Sequence, residues 1–351
     1  LKVLIVANGV VRAGVSRVLS LLSQEWEKEH DVYLSIFRNA DPSYPVGGDF
    51  LLKGIPFRGM IWSQVFHLYK LLKKYPFDRI YGFSEDANYP LSIAARLAGV
   101  PDKVVLTVHN PIQKMSAKVQ KRITQHYGKV GRVLAVSEGV REGLISLGLQ
   151  QEKVTFVPNP IDLSMVDDAK KLPPSIELPK NKINVMTVGR LHSHKGFDLL
   201  IEAFKRIDNN GYHLWIVGGG DEKEVLEHQI QALSLQTNVT LLGEQENPFN
   251  LLAQADFYVM SSRLEGWPLV LMEAMSVGLP VISFDCPNGP DEIIENNKSG
   301  ILVSCGDVAA LSEKVDLLAK NSALRDSLGW GALSRIEDFD VKKVAKQWLE
   351  V

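Results

Sequence analysis

The chain has 351 residues, with 39 basic and 41 acidic side chains and a formal net charge of −2. Forty-five percent of it is hydrophobic, enough to build globular cores, and at roughly 150 residues per domain the length predicts about two domains. No apolar run approaches the roughly 18–20 residues that span a bilayer, which excludes a transmembrane helix, and two cysteines, Cys286 and Cys305, are too few for a disulfide scaffold and fit a reducing compartment.

The sequence opens at Leu1 in a strand-like run, with no basic segment, apolar stretch and small-residue cleavage site ahead of it. Secretion is therefore not expected, and a cytoplasmic location is. In chain order, strands are predicted over 3–7, 32–36, 79–82, 104–108, 132–136 and 154–157, then over 184–188, 213–217, 239–242, 257–260 and 281–284. Helical periodicity marks 16–28, 197–207, 222–233 and 311–320 between them. Several strands are apolar at both alternating positions, the pattern of a sheet covered by helices on both faces. Strand–helix alternation implies parallel βαβ units, so the expected fold is α/β with two Rossmann-like doubly wound parallel-sheet domains.

Pro158-Asn159-Pro160, a polar stretch, Pro173-Pro174 and Pro179 mark the boundary. The expected division is an N-terminal domain over 1–160, a linker over 161–182 and a C-terminal domain over 183–351, with a last helix able to pack back on the first domain. Ligands of such sheets bind at the carboxyl ends of the strands, so two facing sheets would enclose a cleft. The near-neutral total hides an asymmetry. Residues 1–160 hold 21 basic and 13 acidic side chains, a net of +8, and the remainder carries −10. Halves of opposite sign predict different partners.

Three turns invite a phosphate. The first strand runs into Asn8-Gly9-Val10-Val11-Arg12-Ala13-Gly14-Val15-Ser16 and a helix, a small-residue loop whose free N–H groups suit an anion. It lacks the Gly-x-Gly-x-x-Gly spacing of a nicotinamide site, and an ordinary tight turn explains it equally well. Gly189-Arg190-Leu191-His192-Ser193-His194-Lys195-Gly196 places two cations at the start of a helix, which matches a diphosphate; a solvated basic loop is the alternative. His192 and His194 lack the further ligands that a metal site needs. Val217-Gly218-Gly219-Gly220 permits close backbone approach after another strand.

The most informative segment is Ser261-Ser262-Arg263-Leu264-Glu265-Gly266-Trp267-Pro268-Leu269-Val270-Leu271-Met272-Glu273-Ala274-Met275. Pro268 suits the first turn of a helix. Glu265 then lies in the loop before it and Glu273 about five residues in, where a carboxylate can accept both hydroxyls of a ribose. By spacing alone, a solvated Glu265 and a Glu273 that caps a neighbouring helix fit as well.

The set Gly189-Arg190, Lys195-Gly196, Glu265-Gly-x-Pro, Glu273-Ala-Met and Gly278-x-Pro280-Val281-Ile282 resembles the retaining glycosyltransferases of the GT-B fold, in their fourth family. The likeness covers nearly the whole chain and is strongest from 184 to 303. It implies that Arg190 and Lys195 hold the donor diphosphate, that Glu273 binds the ribose, and that Glu265 contacts the donor sugar beside the backbone of Gly266, Trp267, Pro268 and Leu269. Gly189 and Gly218 would line the same donor site. Thr107-Val108-His109-Asn110 resembles the family's strand-end histidine near the reacting sugar. Gly14 matches the second glycine of its N-terminal loop, where Ala13 replaces the first. The implied reaction moves a sugar from a nucleotide diphosphate with retention, using cationic side chains and helix dipoles and no metal or other cofactor.

Residues 60–74, Met60 to Lys74, read as an amphipathic helix with large aromatics and a basic end. Residues 113–132 add Lys114, Lys118, Lys121, Arg122, Lys129 and Arg132 with no acidic residue. Such a surface fits anionic headgroups, while a core helix beside a solvated basic face fits equally. The aromatics follow helical spacing rather than forming a stacking platform, so nucleic acid is not the expected partner. Family members of this size commonly extend lipid-diphosphate-linked or surface glycans in bacteria. The segment Ser283-Phe-Asp-Cys-Pro-Asn-Gly-Pro-Asp-Glu-Ile-Ile294 is similar to members using uridine-linked hexoses or N-acetylhexosamines. The expected partners are a nucleotide sugar donor (UDP-linked), a glycan or polyprenyl-diphosphate-linked acceptor and an anionic membrane surface at the inner face of the cell membrane. A sugar-nucleotide epimerase and a non-catalytic glycan- or nucleotide-binding protein share the architecture and remain alternatives.

Overall fold

The computed structural model describes residues 1–11, 13–38, 41–54, 61–207 and 211–351. They form two compact units, Leu1–Ile161 with Phe339–Val351, and Asp162–Asp338. Among the described residues no helix is long and apolar enough to cross a membrane.

The first unit runs β1 (Lys2–Ala7), α1 (Gly14–Trp26), β2 (Asp31–Ile36), β3 (Asp49–Lys53), α2 (Ile61–Lys74), β4 (Arg79–Phe83), α3 (Glu85–Ala98), β5 (Val104–Val108), α4 (Ala117–His126), β6 (Arg132–Ala135), α5 (Glu138–Ser146) and β7 (Val154–Phe156). Its strands form one parallel sheet in the order β3-β2-β1-β4-β5-β6-β7. Five of six residues in β1 and all five in β5 are buried, so side chains alternating to both faces meet helices, and continuous apolar runs are the sequence consequence. Ser116 and Ser137 cap α4 and α5 by accepting from Val119 N and Val140 N, which satisfies N–H groups that the helices leave open.

The second unit runs α6 (Leu163–Ala169), β8 (Ile183–Val188), α7 (Phe197–Lys205), β9 (Tyr212–Val217), α8 (Lys223–Ala232), β10 (Val239–Gly243), α9 (Phe249–Leu252), β11 (Phe257–Met260), α10 (Leu269–Ser276), β12 (Val281–Asp285), α11 (Pro290–Ile293), β13 (Ile301–Ser304), α12 (Val308–Lys320) and α13 (Ser322–Ile336). Its parallel sheet has the order β10-β9-β8-β11-β12-β13. Both sheets change direction once, between β1 and β4 in the first and between β8 and β11 in the second. In doubly wound sheets ligands commonly bind at the carboxyl ends of the strands at such a point.

Two strands depart from the sequence expectation. β3 is an edge strand with no buried residue, and β13 has only four residues; neither carries a long apolar run. The stretch 161–182 was expected to be a linker, yet it carries α6, capped by Asp162, whose carboxylate accepts from Met165 N at 3.0 Å. The rest is fastened along the second unit. Asn247 Nδ2 donates to Ala169 O, Asn250 Nδ2 to Pro173 O, and Leu178 N to Gln254 Oε1. These partners lie 76 to 78 residues away, out of reach of any local pattern.

The final helix, α14 (Val341–Glu350), belongs to the first unit. Trp26 Nε1 donates to Ala345 O at 3.0 Å, Tyr81 Oη to Trp348 O at 2.6 Å, and Trp348 Nε1 to Pro158 O at 2.9 Å. All three rings are buried, so each polar edge has its partner where water cannot supply one.

Candidate active site

The loops that leave β8 and β11 are stitched together at the switch point. Arg263 N donates to His194 O at 2.7 Å and Ser261 Oγ to Lys195 O at 3.1 Å. The Arg263 guanidinium forks onto both oxygens of Asp198, at 2.8 and 2.6 Å, and also reaches Ser193 O. Gly196 has φ +66°, and a Cβ there would run into Ser261 O. Gly218, at φ +141°, lies so close to the Gly189 carbonyl that no side chain fits. Glycine at these positions lets the turns after β8, β9 and β11 touch through their backbones.

Within that stitched corner, Lys195 Nζ donates to Glu265 Oε1 at 2.7 Å, with side chains only 17% and 9% exposed. Ser262 Oγ donates to the same carboxylate oxygen at 2.6 Å, and Asn288 Nδ2 donates to Glu265 O at 3.0 Å. The half-buried ammonium and the buried carboxylate hold each other in place. Three residues of chain then lead to α10. Gly266, Trp267 and Pro268 are buried, Trp267 Nε1 contacts Met272 Sδ at 2.9 Å, and Leu269 opens the helix. Glu273 is buried in α10, about 6 Å along the axis from Leu269 at 1.5 Å per residue.

Arg190 has a different setting. It is 69% exposed and its Nη2 lies 3.7 Å from Asp221 Oδ2 in a solvated pair. His192 and His194 bring their Nδ1 atoms to 2.6 Å. Among the described residues no three His, Cys, Asp or Glu side chains converge as a metal site would require.

In the first unit, Gly14 begins α1 in an exposed turn; Ser16 Oγ accepts from Val11 N at 3.2 Å, and Arg12 lies outside the described residues. His109 follows the carboxyl end of β5 and is buried. Its ring stacks on Phe83 at 5.8 Å and leans on Trp348 at 6.2 Å. His109 Nε2 lies 2.9 Å from Thr107 Oγ1, while Nδ1 is buried without a partner. Burial pushes its pKa down to about 3, so the ring is neutral at physiological pH.

Two family descriptions divide this chain between them. Glycosyltransferase Family 4 matches residues 12–165, and Glycosyl transferases group 1 matches 168–334. The chain belongs to the GT-B glycosyltransferases of family 4. Similar proteins include the amylovoran biosynthesis glycosyltransferase AmsD of Erwinia amylovora, 26% identical over 100% of this chain and 99% of that protein. Another is the GalNAc-alpha-(1->4)-GalNAc-alpha-(1->3)-diNAcBac-PP-undecaprenol alpha-1,4-N-acetyl-D-galactosaminyltransferase of Campylobacter jejuni, 26% identical over 96% and 94%. Among solved structures, Anabaena HepE in complex with UDP aligns at a TM-score of 0.84 and 20% identity, covering 100% of this chain and 99% of that one. At that identity the likeness speaks for the fold.

In this glycosyltransferase each unit holds more than its motifs announce. Ser262, Asn288 and the Arg263–Asp198 fork hold the Lys195–Glu265 corner, and Thr107 and Trp348 hold His109. Sequence patterns assign none of the six a role. Ser262 lies three residues before Glu265 in the same motif and could have been noticed; Trp348 reaches His109 only through the fold.

Proposed function

We propose that this glycosyltransferase moves a hexose or N-acetylhexosamine from a UDP-linked donor to a glycan or polyprenyl-diphosphate-linked glycan, with retention and without a metal ion, in bacterial surface-glycan synthesis. The observation that carries the reading is the Lys195–Glu265 pair, its carboxylate buried and its ammonium half-buried, at the β8/β11 switch point. A fixed cation there is placed to stabilise a departing diphosphate, and a fixed carboxylate beside it to hold sugar hydroxyls. Glu273 takes the ribose. Arg190, exposed and only loosely paired, is free to swing onto the phosphates, and the first turn of α10 adds its N–H groups. HepE is described with UDP, which supports the choice of base. Retention and independence of metal are carried over from the Glu265-to-Glu273 motif of the family.

The acceptor reading draws on the Campylobacter relative, whose name carries an undecaprenyl diphosphate, and on α2. Met60 lies outside the described residues. From Ile61 on, Trp62 is 67% and Phe66 53% exposed, one helical turn apart. Lys70 Nζ sits 4.3 Å over the Phe66 ring, and Lys73 and Lys74 close the helix. That face fits a peripheral position on an anionic membrane. The deciding experiment incubates the protein with a panel of nucleotide sugars and polyprenyl-diphosphate glycans, with and without chelator, and reads the anomeric configuration of the product by NMR. Transfer from no donor, an inverted product, or a strict need for added metal would each remove the corresponding part.

A further inference from the structure

Among the described residues the most exposed large hydrophobic side chain is Trp330, at 74%. It stands on α13 and lines a cavity of about 390 Å³. The cavity lies at the amino ends of the second sheet, where Asp256 precedes β11 and Leu279 and Pro280 precede β12. The Lys195–Glu265 corner lies at the opposite, carboxyl ends of that sheet, so the two places on the unit are separate. Gly329 brings α13 against the turn that follows α10. A Cβ on Gly329 would stand 2.6 Å from Gly278 O, and Gly278 itself has φ +82°.

The polar groups of the cavity are not used up on one another. Asp326 is one helical turn before Trp330 on the same face of α13. Among the described residues neither the Asp326 carboxylate nor the Trp330 Nε1 has a hydrogen-bond or ion-pair partner. Arg325 donates from Nη1 to Leu318 O at 2.6 Å and to Ala319 O at 2.9 Å, which fixes its guanidinium at the end of α12. Asp256 accepts from Asn184 N on Oδ2 at 2.7 Å and keeps Oδ1. These groups select a ligand class. One guanidinium beside two carboxylates leaves a net negative charge, which repels a phosphate or a uronate. An apolar ligand would strand all three charges away from water. A neutral pyranose meets each of them: its hydroxyls donate to carboxylates and accept from guanidinium and indole N–H groups, and its C–H face covers an aromatic ring. The volume falls in the range of about 300–1,000 Å³ usual for small-molecule sites.

We propose that Trp330, Arg325, Asp326 and Asp256 form a second glycan-binding site, apart from the transfer site, which holds a neutral hexopyranose unit of a glycan chain against the indole. The choice of a glycan over another neutral polyol rests on the glycosyl-transfer reading above; the site does not.

Binding is read without donor or turnover. In protein labelled with 15N-tryptophan, the indole peak of Trp330 is the one of six that Trp330→Phe lacks. Titration with short neutral oligosaccharides of glucose, galactose and their N-acetylated forms should move that peak saturably, and oligomers of glucuronic acid should leave it in place. Asp326→Ala should weaken the affinity about tenfold, the loss expected for a hydrogen bond to a charged group. Its side chain is exposed, so the urea midpoint should stay at the wild-type value. A Trp330 peak that no neutral oligosaccharide moves overturns the proposal, as does one moved equally by glucuronic acid oligomers or equally in Asp326→Ala. So does a peak that moves only with protein concentration, which would place a second copy of the chain over Trp330. A protein that binds these glycans at Trp330 yet transfers no sugar would sink the functional reading and leave the second site standing.

Discussion

Lys195 and Glu265 stand 70 residues apart in sequence and 2.7 Å apart in space, joining the turns that leave two neighbouring strands. Removing either partner strands a buried charge, at a cost of about 3–5 kcal/mol, and also removes a group assigned to the transfer step, worth about 100- to 1000-fold in kcat. The double variant separates the two effects. Lys195→Ala with Glu265→Ala leaves neither charge unpaired, so urea denaturation should show it more stable than either single variant, with activity still at the level of the worse one. Activity that returned together with stability would mean that the pair only holds the corner.

Glu273→Gln tests the ribose role by itself. The amide has nearly the same shape but loses the charge that strengthens its hydrogen bonds, a difference of about 1–2 kcal/mol. UDP affinity by calorimetry should fall about tenfold, with kcat at saturating donor within a few-fold of wild type. Unchanged UDP binding would move Glu273 to a purely structural role in α10.

Gly218→Ala should be among the most damaging single substitutions outside the charged pair. Its φ of +141° is nearly closed to other residues, and the added Cβ would run into Gly189 O. Strain of that kind costs about 1–3 kcal/mol before the clash is counted, so the midpoint in denaturant should drop clearly. A stability equal to wild type would show that the β8 and β9 turns separate without penalty.

Acid should expose His109. Its folded pKa of about 3 lies below the ordinary 6.5, so as pH falls the unfolded chain takes up a proton that the folded protein refuses. The stabilising difference is complete above about pH 6.5 and is lost as pH falls from there toward 3. Between pH 7 and pH 5 this one ring should cost about 2 kcal/mol. His213, whose pKa burial lowers to about 4, pushes in the same direction. His109→Gln, neutral at every pH, should flatten the fall in chemical-denaturation curves. An equal slope in wild type and variant would place the titration elsewhere.

What could be read from the chain, and what could not, divides by distance. The strands β1, β5, β8 and β11 announce themselves because both faces are covered and their apolar runs are continuous. The Glu265-to-Glu273 spacing locates one carboxylate in a loop and one in a helix because Pro268 sets the boundary between them. β3 has no buried face to advertise. The stretch 161–182 reads as a linker because its partners, Asn247, Asn250 and Gln254, lie beyond any local window. His109 could be picked out as a residue, but its ring rests on Trp348, more than 200 positions away in the chain.

The membrane prediction rests on α2 and is read without any turnover. Trp62 and Phe66 project from a helix that carries no acidic residue, and Lys70, Lys73 and Lys74 follow along it. α4 adds Lys118, Lys121 and Arg122, again without an acid. Each lysine or arginine near an anionic surface contributes about 1 kcal/mol, and the two aromatics contribute through burial at the interface, where salt does not screen them. Flotation with vesicles containing phosphatidylglycerol should recover the wild type. Charge reversal at Lys73, Lys74, Lys121 and Arg122 should abolish recovery, as should Trp62→Ser with Phe66→Ser. Raising the salt should weaken the wild type only in part, since the rings remain. Recovery independent of both substitutions would mean that this face does not meet lipid, and loss on neutral vesicles alone would show that charge outweighs the aromatic pair.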